Sequence, residues 1–226
     1  MSDTSTNMTP DWIARALKSN PCVLLESGNL RTCPVRLSFP NIFSRSKPIP
    51  PATEGKFGAN LIFPLGADLS VLKKAAADAT LAKWPTAGTK TGPKLKSPFK
   101  DQGDMTKYEG YTEGGIFISA TGDRQPSVVD GRLALITDPD RVYPGVWAIA
   151  TIRPFTYDKG VNKGTSFGLQ SLMIIADDKN LGGGGSNPSA DFAGVQVDAA
   201  TSADGVFGGG EDDAAARALF DDDVPF

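Results

Sequence analysis

The sequence contains no histidine and only two cysteines, Cys22 and Cys33. Histidine-based catalysis and metal sites with histidine ligands are therefore excluded. Two thiols in a chain without an export signal are expected to be reduced and structural. No run of about 18 apolar residues exists, so no membrane-spanning helix and no membrane partner are predicted. Residues 1–9 lack the basic and apolar pattern of a signal peptide, which favours a cytoplasmic location.

Sequence motifs of enzymes are also missing. No Gly-rich phosphate loop is followed by Lys-Ser/Thr, and no cysteine cluster has metal-ligand spacing. We therefore expect no catalytic residue, no bound metal and no cofactor. The carboxylates of Asp138, Asp140, Asp177 and Asp178 keep a metal-dependent nuclease open as an alternative, because carboxylate oxygens bind divalent ions. Such residues are also common at turns and strand ends.

Charge is distributed unevenly along the 226 residues. Residues 1–180 hold 22 Lys and Arg against 17 Asp and Glu, a net charge of +5. Residues 181–226 hold one basic and nine acidic residues, a net charge of −8. A basic body joined to an acidic tail is typical of a nucleic-acid-binding protein that carries its own counter-charge.

Short apolar segments separated by turns predict a mainly β domain over residues 21–180. Alternating Val35, Leu37 and Phe39 indicate a half-buried strand within residues 30–39. Further strands are predicted over residues 56–63, 115–120, 146–157 and 165–175. One main helix is predicted from Asp68 or Ser70 to Trp84, and residues 85–114 are predicted to be an irregular loop. This pattern favours the oligonucleotide-binding (OB) fold, a Greek-key barrel of five strands.

Both ends of the chain are predicted to be flexible. Residues 1–20 are expected to be loosely ordered, apart from a short helix around residues 11–18. Residues 181–226 begin with a glycine-rich linker and continue as a small, polar and acidic segment. Because this segment has little apolar surface to bury, we expect it to be disordered.

Basic and aromatic side chains, which together bind single-stranded nucleic acid, are concentrated in two segments. The loop at residues 85–114 supplies the candidates Lys94, Lys96, Lys100, Lys107, Tyr108 and Tyr111. The last two predicted strands and their connection supply Arg153, Phe155, Tyr157, Lys159, Lys163 and Phe167, and Arg124 follows the middle strand. Arg153, Phe155 and Tyr157 share parity, so they point to one face.

The aromatic candidates have different surroundings in the sequence. Phe155 and Phe167 suit base stacking and the barrel core equally well, because barrel strands alternate inward and outward. Tyr108 and Tyr111 lie among Lys, Glu and Gly, so we expect them to be exposed. Trp147 is assigned to packing.

The last two predicted strands resemble a phage-encoded family of single-stranded DNA-binding proteins. The similar segments are Tyr-Pro-Gly at 143–145, Arg-Pro-Phe-Thr-Tyr-Asp at 153–158 and Asn-Lys-Gly-Thr-Ser-Phe-Gly-Leu-Gln at 162–170, with a looser match at 36–39. The resemblance implies an OB-fold protein that coats single strands during phage DNA replication and recombination in the bacterial cytoplasm, without catalysis. A protein-interaction adaptor stays open as an alternative. Self-association on DNA also stays open, because exposed barrel edges can pair.

The last six residues resemble the C-terminal tip of bacterial single-stranded DNA-binding proteins, which have isoleucine in place of valine. These residues are Asp221, Asp222, Asp223, Val224, Pro225 and Phe226. The resemblance implies that the tip recruits host or phage enzymes of DNA replication, recombination and repair. An aromatic ring suits an apolar pocket, and carboxylates suit its basic rim. A merely solubilising acidic tail is the alternative.

Deletion of residues 211–226 is predicted to tighten binding to single-stranded DNA. The acidic tail is expected to compete with DNA for the basic side chains of the β domain. Titration of fluorescent oligo-dT with the full-length and truncated proteins measures this effect. Equal or weaker affinity of the truncated protein would argue against the competition.

Overall fold

Nine strands and two α-helices form in the part of the chain that the structure, a computed structural model, describes: residues 11–48, 50 and 52–182. The strands are β1 Val23–Leu24, β2 Leu30–Arg31, β3 Val35–Asn41, β4 Phe57–Ile62, β5 Phe99–Asp101, β6 Ile116–Gly122, β7 Ser127–Val129, β8 Trp147–Lys159 and β9 Asn162–Ala176. The helices are α1 Asp11–Ser19 and α2 Ser70–Lys83, with short 3-10 helices at Gln102–Met105 and Pro139–Arg141. The predicted tail lies outside the described residues.

Five of these strands close into a barrel. β3 pairs with β4, β4 with β6, and β8 with both β3 and β9, all in antiparallel orientation. A parallel contact between Ala120 of β6 and Phe167 of β9 completes the ring. The resulting order β3-β4-β6-β9-β8, returning to β3, is that of the OB fold. The predicted fold class is therefore confirmed.

Alternation along the barrel strands separates the core from the outer surface. Leu61 of β4 pairs with Ile118 of β6, and both are fully buried. The next pair, Asn60 with Ser119, faces outward and is half-buried. Each buried aliphatic side chain contributes roughly 1.5–3 kcal/mol relative to an exposed one. Other inward residues include Val35, Leu37, Ala59, Ala120, Ala148, Ala150, Ile152, Phe167 and Leu169.

Helix α2 forms where the sequence predicts it and covers one side of the barrel. The Asp68 carboxylate accepts a hydrogen bond from the Ser70 backbone N–H (2.9 Å), which satisfies a free donor at the helix N-terminus. Leu72 is fully buried in the core. The hydroxyls of Thr80 and Thr165 lie 2.6 Å apart and link α2 to β9.

Helix α1 also packs on the barrel, and its range Asp11–Ser19 matches the short helix predicted around residues 11–18. Ile13 is buried, and Leu17 packs against the core. The ring of Trp12 meets Trp147 of β8 edge to face, with centroids 5.2 Å apart. No helix among the described residues is long and apolar enough to cross a membrane.

The two cysteines are buried and free. They flank β1 and β2, where the backbone N–H of Cys33 donates to the Cys22 sulfur at 3.2 Å. The side chains therefore act as part of the core beside α2.

The segment at residues 85–114 is more ordered than predicted. Its strand β5 pairs with β6, and the 3-10 helix at Gln102–Met105 follows directly. The buried Gln102 amide donates to the carbonyls of Phe63 and Ile116 (2.9 Å each) and accepts from the backbone N–H of Thr112 (3.0 Å). Gln102 therefore links this segment to the barrel in addition to the pairing of β5 with β6.

Replacing this residue by Gln102→Leu is expected to destabilise the domain by about 2–4 kcal/mol, because a buried carbonyl and a backbone N–H lose their partner. Urea unfolding measures the change. The exposed Gln125→Leu is the matched control and should stay within about 0.5 kcal/mol of the parent. Equal effects of the two substitutions would contradict the role of Gln102.

Candidate nucleic-acid interface

The long β8–β9 hairpin carries the first group of candidate residues on its outer face. Arg153 pairs with Gly168, and Phe155 pairs with Ser166. Both Arg153 and Phe155 are exposed, and the Phe155 ring is 39% accessible. Because the residues opposite them are small, no large cross-strand side chain covers the ring or the guanidinium. We call Arg153, Phe155, Tyr157 and Lys159 the hairpin surface.

The tip of the hairpin adds exposed charge. β8 and β9 are joined by only Gly160 and Val161, and Gly160 takes a φ of +64° that glycine adopts without strain. Lys159 precedes this turn and is exposed. Lys163 follows it, but its ammonium lies 3.8 Å from the Asp158 carboxylate. Its charge is therefore partly compensated.

The lysine-rich segment at residues 85–114 is hydrogen-bonded to this hairpin, although the two lie far apart in the sequence. The backbone N–H of Lys96 donates to the Lys163 carbonyl (2.9 Å), and the Thr165 N–H donates to the Lys96 carbonyl (3.2 Å). A side chain at Gly164 would place its Cβ 2.4 Å from the Lys96 carbonyl oxygen, so only glycine fits. Lys96 and the nearby Lys94 are exposed.

A second group of candidates lies on the outer face of β4 and β6. The Lys100 ammonium donates to the Ser119 hydroxyl (3.0 Å), which donates to the Asn60 amide oxygen (2.7 Å). The Asn60 amide nitrogen donates to the Tyr111 hydroxyl (3.0 Å). We call Asn60, Ser119, Lys100 and Tyr111 the polar row. An ammonium has three donors, so Lys100 keeps two for an incoming phosphate or base oxygen.

Burial shapes the electrostatics of Lys100. Its ammonium lies 5.4 Å from the centre of the Phe117 ring. Partial loss of solvent lowers the pKa of the Lys100 ammonium. A phosphate at this position would favour the charged form and raise this pKa again.

Two aromatic candidates are buried, and for Tyr111 this differs from expectation. Phe167, a candidate for base stacking or for the core, is fully buried and meets Phe99 edge to face at 5.8 Å, so the structure places it in the barrel core. Its inward direction follows from its pairing with the inward Ala120. Tyr111 is also buried, at 8% exposure, because its ring packs on Phe117. The Tyr111 ring is therefore covered, and only its hydroxyl joins the polar row.

Lys107 and Tyr108 lie exposed beside the polar row in the segment that Gln102 holds. The Lys107 ammonium lies 5.0 Å from the centre of the Tyr108 ring.

Arg124 lies in the exposed turn after β6. The neighbouring Asp123 contacts Lys56, at 3.4 Å between carboxylate and ammonium.

Sequence reasoning missed Phe39. Alternation with Val35 and Leu37 predicts an inward ring, but the pairing of β3 with β4 shifts register between Ser38 and Asn41. The bulge turns Phe39 outward, to 46% exposure. Proline in a strand is confined to edges and bulges, so Pro40 was the signal that could have found it.

Phe39 borders a groove of about 220 Å³ that also includes part of the polar row. The other lining residues are Asn41, Ser46, Lys56, Gly58, Ala59, Asn60, Ser119 and Thr121.

The acidic residues considered as metal ligands have structural partners. Asp138 accepts a hydrogen bond from the Asp140 backbone N–H (3.0 Å). Asp178 pairs with Arg36 (3.1 Å) and accepts from the Trp147 indole (2.8 Å). Within the described ranges, no group of three or more His, Cys, Asp or Glu side chains is arranged to hold a metal ion.

Comparison with known proteins identifies phage proteins. The family model described as the Enterobacter phage Enc34 ssDNA-binding protein matches residues 29–205. The solved structure of the bacteriophage Enc34 single-stranded DNA-binding protein in complex with ssDNA is 22% identical, with a TM-score of 0.59, covering 72% of this chain and 94% of that one. Its C-terminal truncation is 23% identical, with a TM-score of 0.57, covering 71% and 93%. Among curated proteins, none matches this chain.

Substitution Phe155→Ala is expected to weaken binding to oligo-dT by about 5- to 150-fold, because a stacked base contributes about 1–3 kcal/mol. Fluorescence anisotropy with labelled oligo-dT measures the loss. Val161→Ala, at the exposed tip of the same hairpin, is the matched control and should bind like the parent. Unchanged affinity of the Phe155 variant would remove this ring from the interface.

Proposed function

The chain belongs to the family of the Enterobacter phage Enc34 single-stranded DNA-binding protein, and from this premise we propose that it coats single-stranded DNA without sequence preference and without catalysis. The observation that carries the proposal is the hairpin surface. The exposed Arg153 and Phe155 lie next to each other there opposite Gly168 and Ser166, which is the combination that holds a sugar-phosphate backbone and stacks bases.

The path of the DNA follows from the strand order. Outward residues along β8, β9, β6, β4 and β3 form a strip, because the inward pair Ala120 and Phe167 sets the direction of their neighbours. Between the hairpin and β3 this strip carries the small or polar side chains Gly168, Ser166, Thr121, Ser119, Asn60 and Gly58, while the outward Phe117 and Ile62 are buried in a cluster with Tyr111. Neighbouring strands lie about 4.8 Å apart, so the strip spans at most about 19 Å. We therefore place the DNA across the strands.

The cations around this strip supply the electrostatic part of the proposal. Lys96, Arg153 and Lys159 lie at the hairpin end, and Lys100 and Lys107 lie beside β6. Contacts of this kind neutralise phosphates irrespective of base sequence, so affinity depends strongly on salt. A protein-interaction adaptor does not need cations that neutralise phosphates. An electrophoretic shift with labelled oligo-dT distinguishes the two functions, because only the DNA-binding protein shifts the oligonucleotide.

The C-terminal tip adds an interaction function to the proposal. Residues 221–226 lie outside the described residues, and the support is their similarity in sequence to the tip of bacterial single-stranded DNA-binding proteins. We assign recruitment of host or phage replication and recombination enzymes to this tip. The proposed place of action is the cytoplasm of the bacterial host, where phage DNA is copied.

Arg153→Gln is expected to reduce the salt dependence of oligo-dT binding. The slope of log affinity against log salt should become shallower by about 0.7, the contribution of one neutralised phosphate on a single strand. Titrations at several salt concentrations give the slope. Lys74→Gln is the matched control, because Lys74 pairs with Asp78 on the exposed face of α2. A slope that changes equally in both variants would contradict the assignment.

Phe226→Ala is expected to abolish capture of a tip-dependent enzyme while leaving oligo-dT affinity unchanged. Pull-down with a purified host helicase, exonuclease or primase measures capture. Phe207→Ala removes another phenylalanine of the acidic segment, and this variant should still capture the enzyme. Equal capture by the Phe226 variant and the parent would show that the tip is not the recruiting element.

A further inference from the structure

Phe39 combines two unfavourable properties. Its φ is +48°, in the left-handed region that bulky side chains rarely adopt. Its ring is also 46% exposed instead of buried with Val35 and Leu37. Strained backbone that presents an apolar ring to solvent is characteristic of ligand-binding sites. These two properties indicate that the Phe39 ring is covered by a bound ligand.

Tyr108 stands beside this ring. The two rings meet edge to face at 5.1 Å with an interplanar angle of 88°, and Tyr108 is 40% exposed. Edge-to-face contact leaves one face of a ring free for a further partner. The backbone of Tyr108 donates to the Met105 carbonyl (2.9 Å), which places it in the segment that Gln102 fixes. The pair therefore joins a barrel strand, β3, to the segment that packs on the barrel.

The surroundings of this pair suit a nucleotide. The groove that Phe39 borders is lined by the polar residues Asn60 and Ser119 and by Lys56, whose ammonium lies 3.4 Å from the Asp123 carboxylate. The Lys107 ammonium lies 5.0 Å from the centre of the Tyr108 ring. A flat ring near hydrogen-bonding groups and a lysine ammonium matches a base with its polar edge and its phosphate.

We propose that Phe39 and Tyr108 form a second base-stacking station, distinct from the hairpin surface. This inference rests on the proposed function and extends it. Phe39 lies on β3 at one end of the outward strip, and Phe155 lies on β8 at the other end. One strand of DNA that crosses the barrel meets a stacking ring at each end and exposed small or polar side chains between them.

The test uses substitutions that accept a positive φ. Phe39→Asn and Phe39→Gly in the full-length chain remove the ring at a backbone position that both new residues tolerate. We expect the melting temperature to stay equal or rise, and the affinity for oligo-dT to fall by about 5- to 150-fold, as for loss of one stacked base. Tyr108→Ala is expected to lower the affinity as well.

The chain offers a matched control at Leu133, whose φ is +66° and whose side chain is 70% exposed. Leu133→Asn relieves the same kind of strain in the turn after β7, away from the strip, and should leave oligo-dT affinity unchanged. Photo-cross-linking with oligo-dT that carries 5-iodouracil provides a direct readout. Cross-links to peptides containing Phe39 or Tyr108 support the station.

Three results would overturn the inference. Parent-like affinity of Phe39→Asn, together with weakened binding of Phe155→Ala, would leave the hairpin surface in place and reject the second station. Loss of a protein partner with intact oligo-dT binding would reassign the Phe39 pair to protein docking. A parent protein that ignores oligo-dT altogether would reject the proposed function and the station with it.

Discussion

The short parallel contact between Ala120 and Phe167 sets the geometry on which the rest of the domain depends. It closes the barrel, and it directs both side chains inward. Because side chains alternate along a strand, the residues next to each of them must point outward. The outer strip from the hairpin to β3 is therefore a direct result of core packing. A shift of one residue at this contact would bury Ser166 and expose Phe167.

The sequence allowed accurate prediction wherever periodicity was uninterrupted. The helix at Ser70–Lys83, the strand at Phe57–Ile62 and the hairpin of β8 and β9 all have regular patterns and clear ends. Regular alternation also identified Phe155 and Arg153 as residues of one face. These local patterns, with the order of the strands, were sufficient for the OB fold.

The remaining features depend on contacts between residues distant in the sequence. A bulge turns Phe39 outward against its alternation with Val35 and Leu37, and barrel closure turns Phe167 inward, a direction that its pattern left open. The order of residues 85–114 depends on Gln102, whose partners include Phe63 and Thr112. A single polar residue in a loop rich in Gly and Lys does not reveal such partners before the fold is known.

The pairing of Lys96 with β9 has a consequence for a protein that accumulates along a polymer. Unpaired strand edges join between chains and lead to fibres when chains are crowded. Next to the hairpin tip, however, the backbone groups of Lys163 and Thr165 are already satisfied within the same chain. The sheets of two neighbouring chains therefore cannot join through these backbone groups, because Lys96 of the same chain already occupies them.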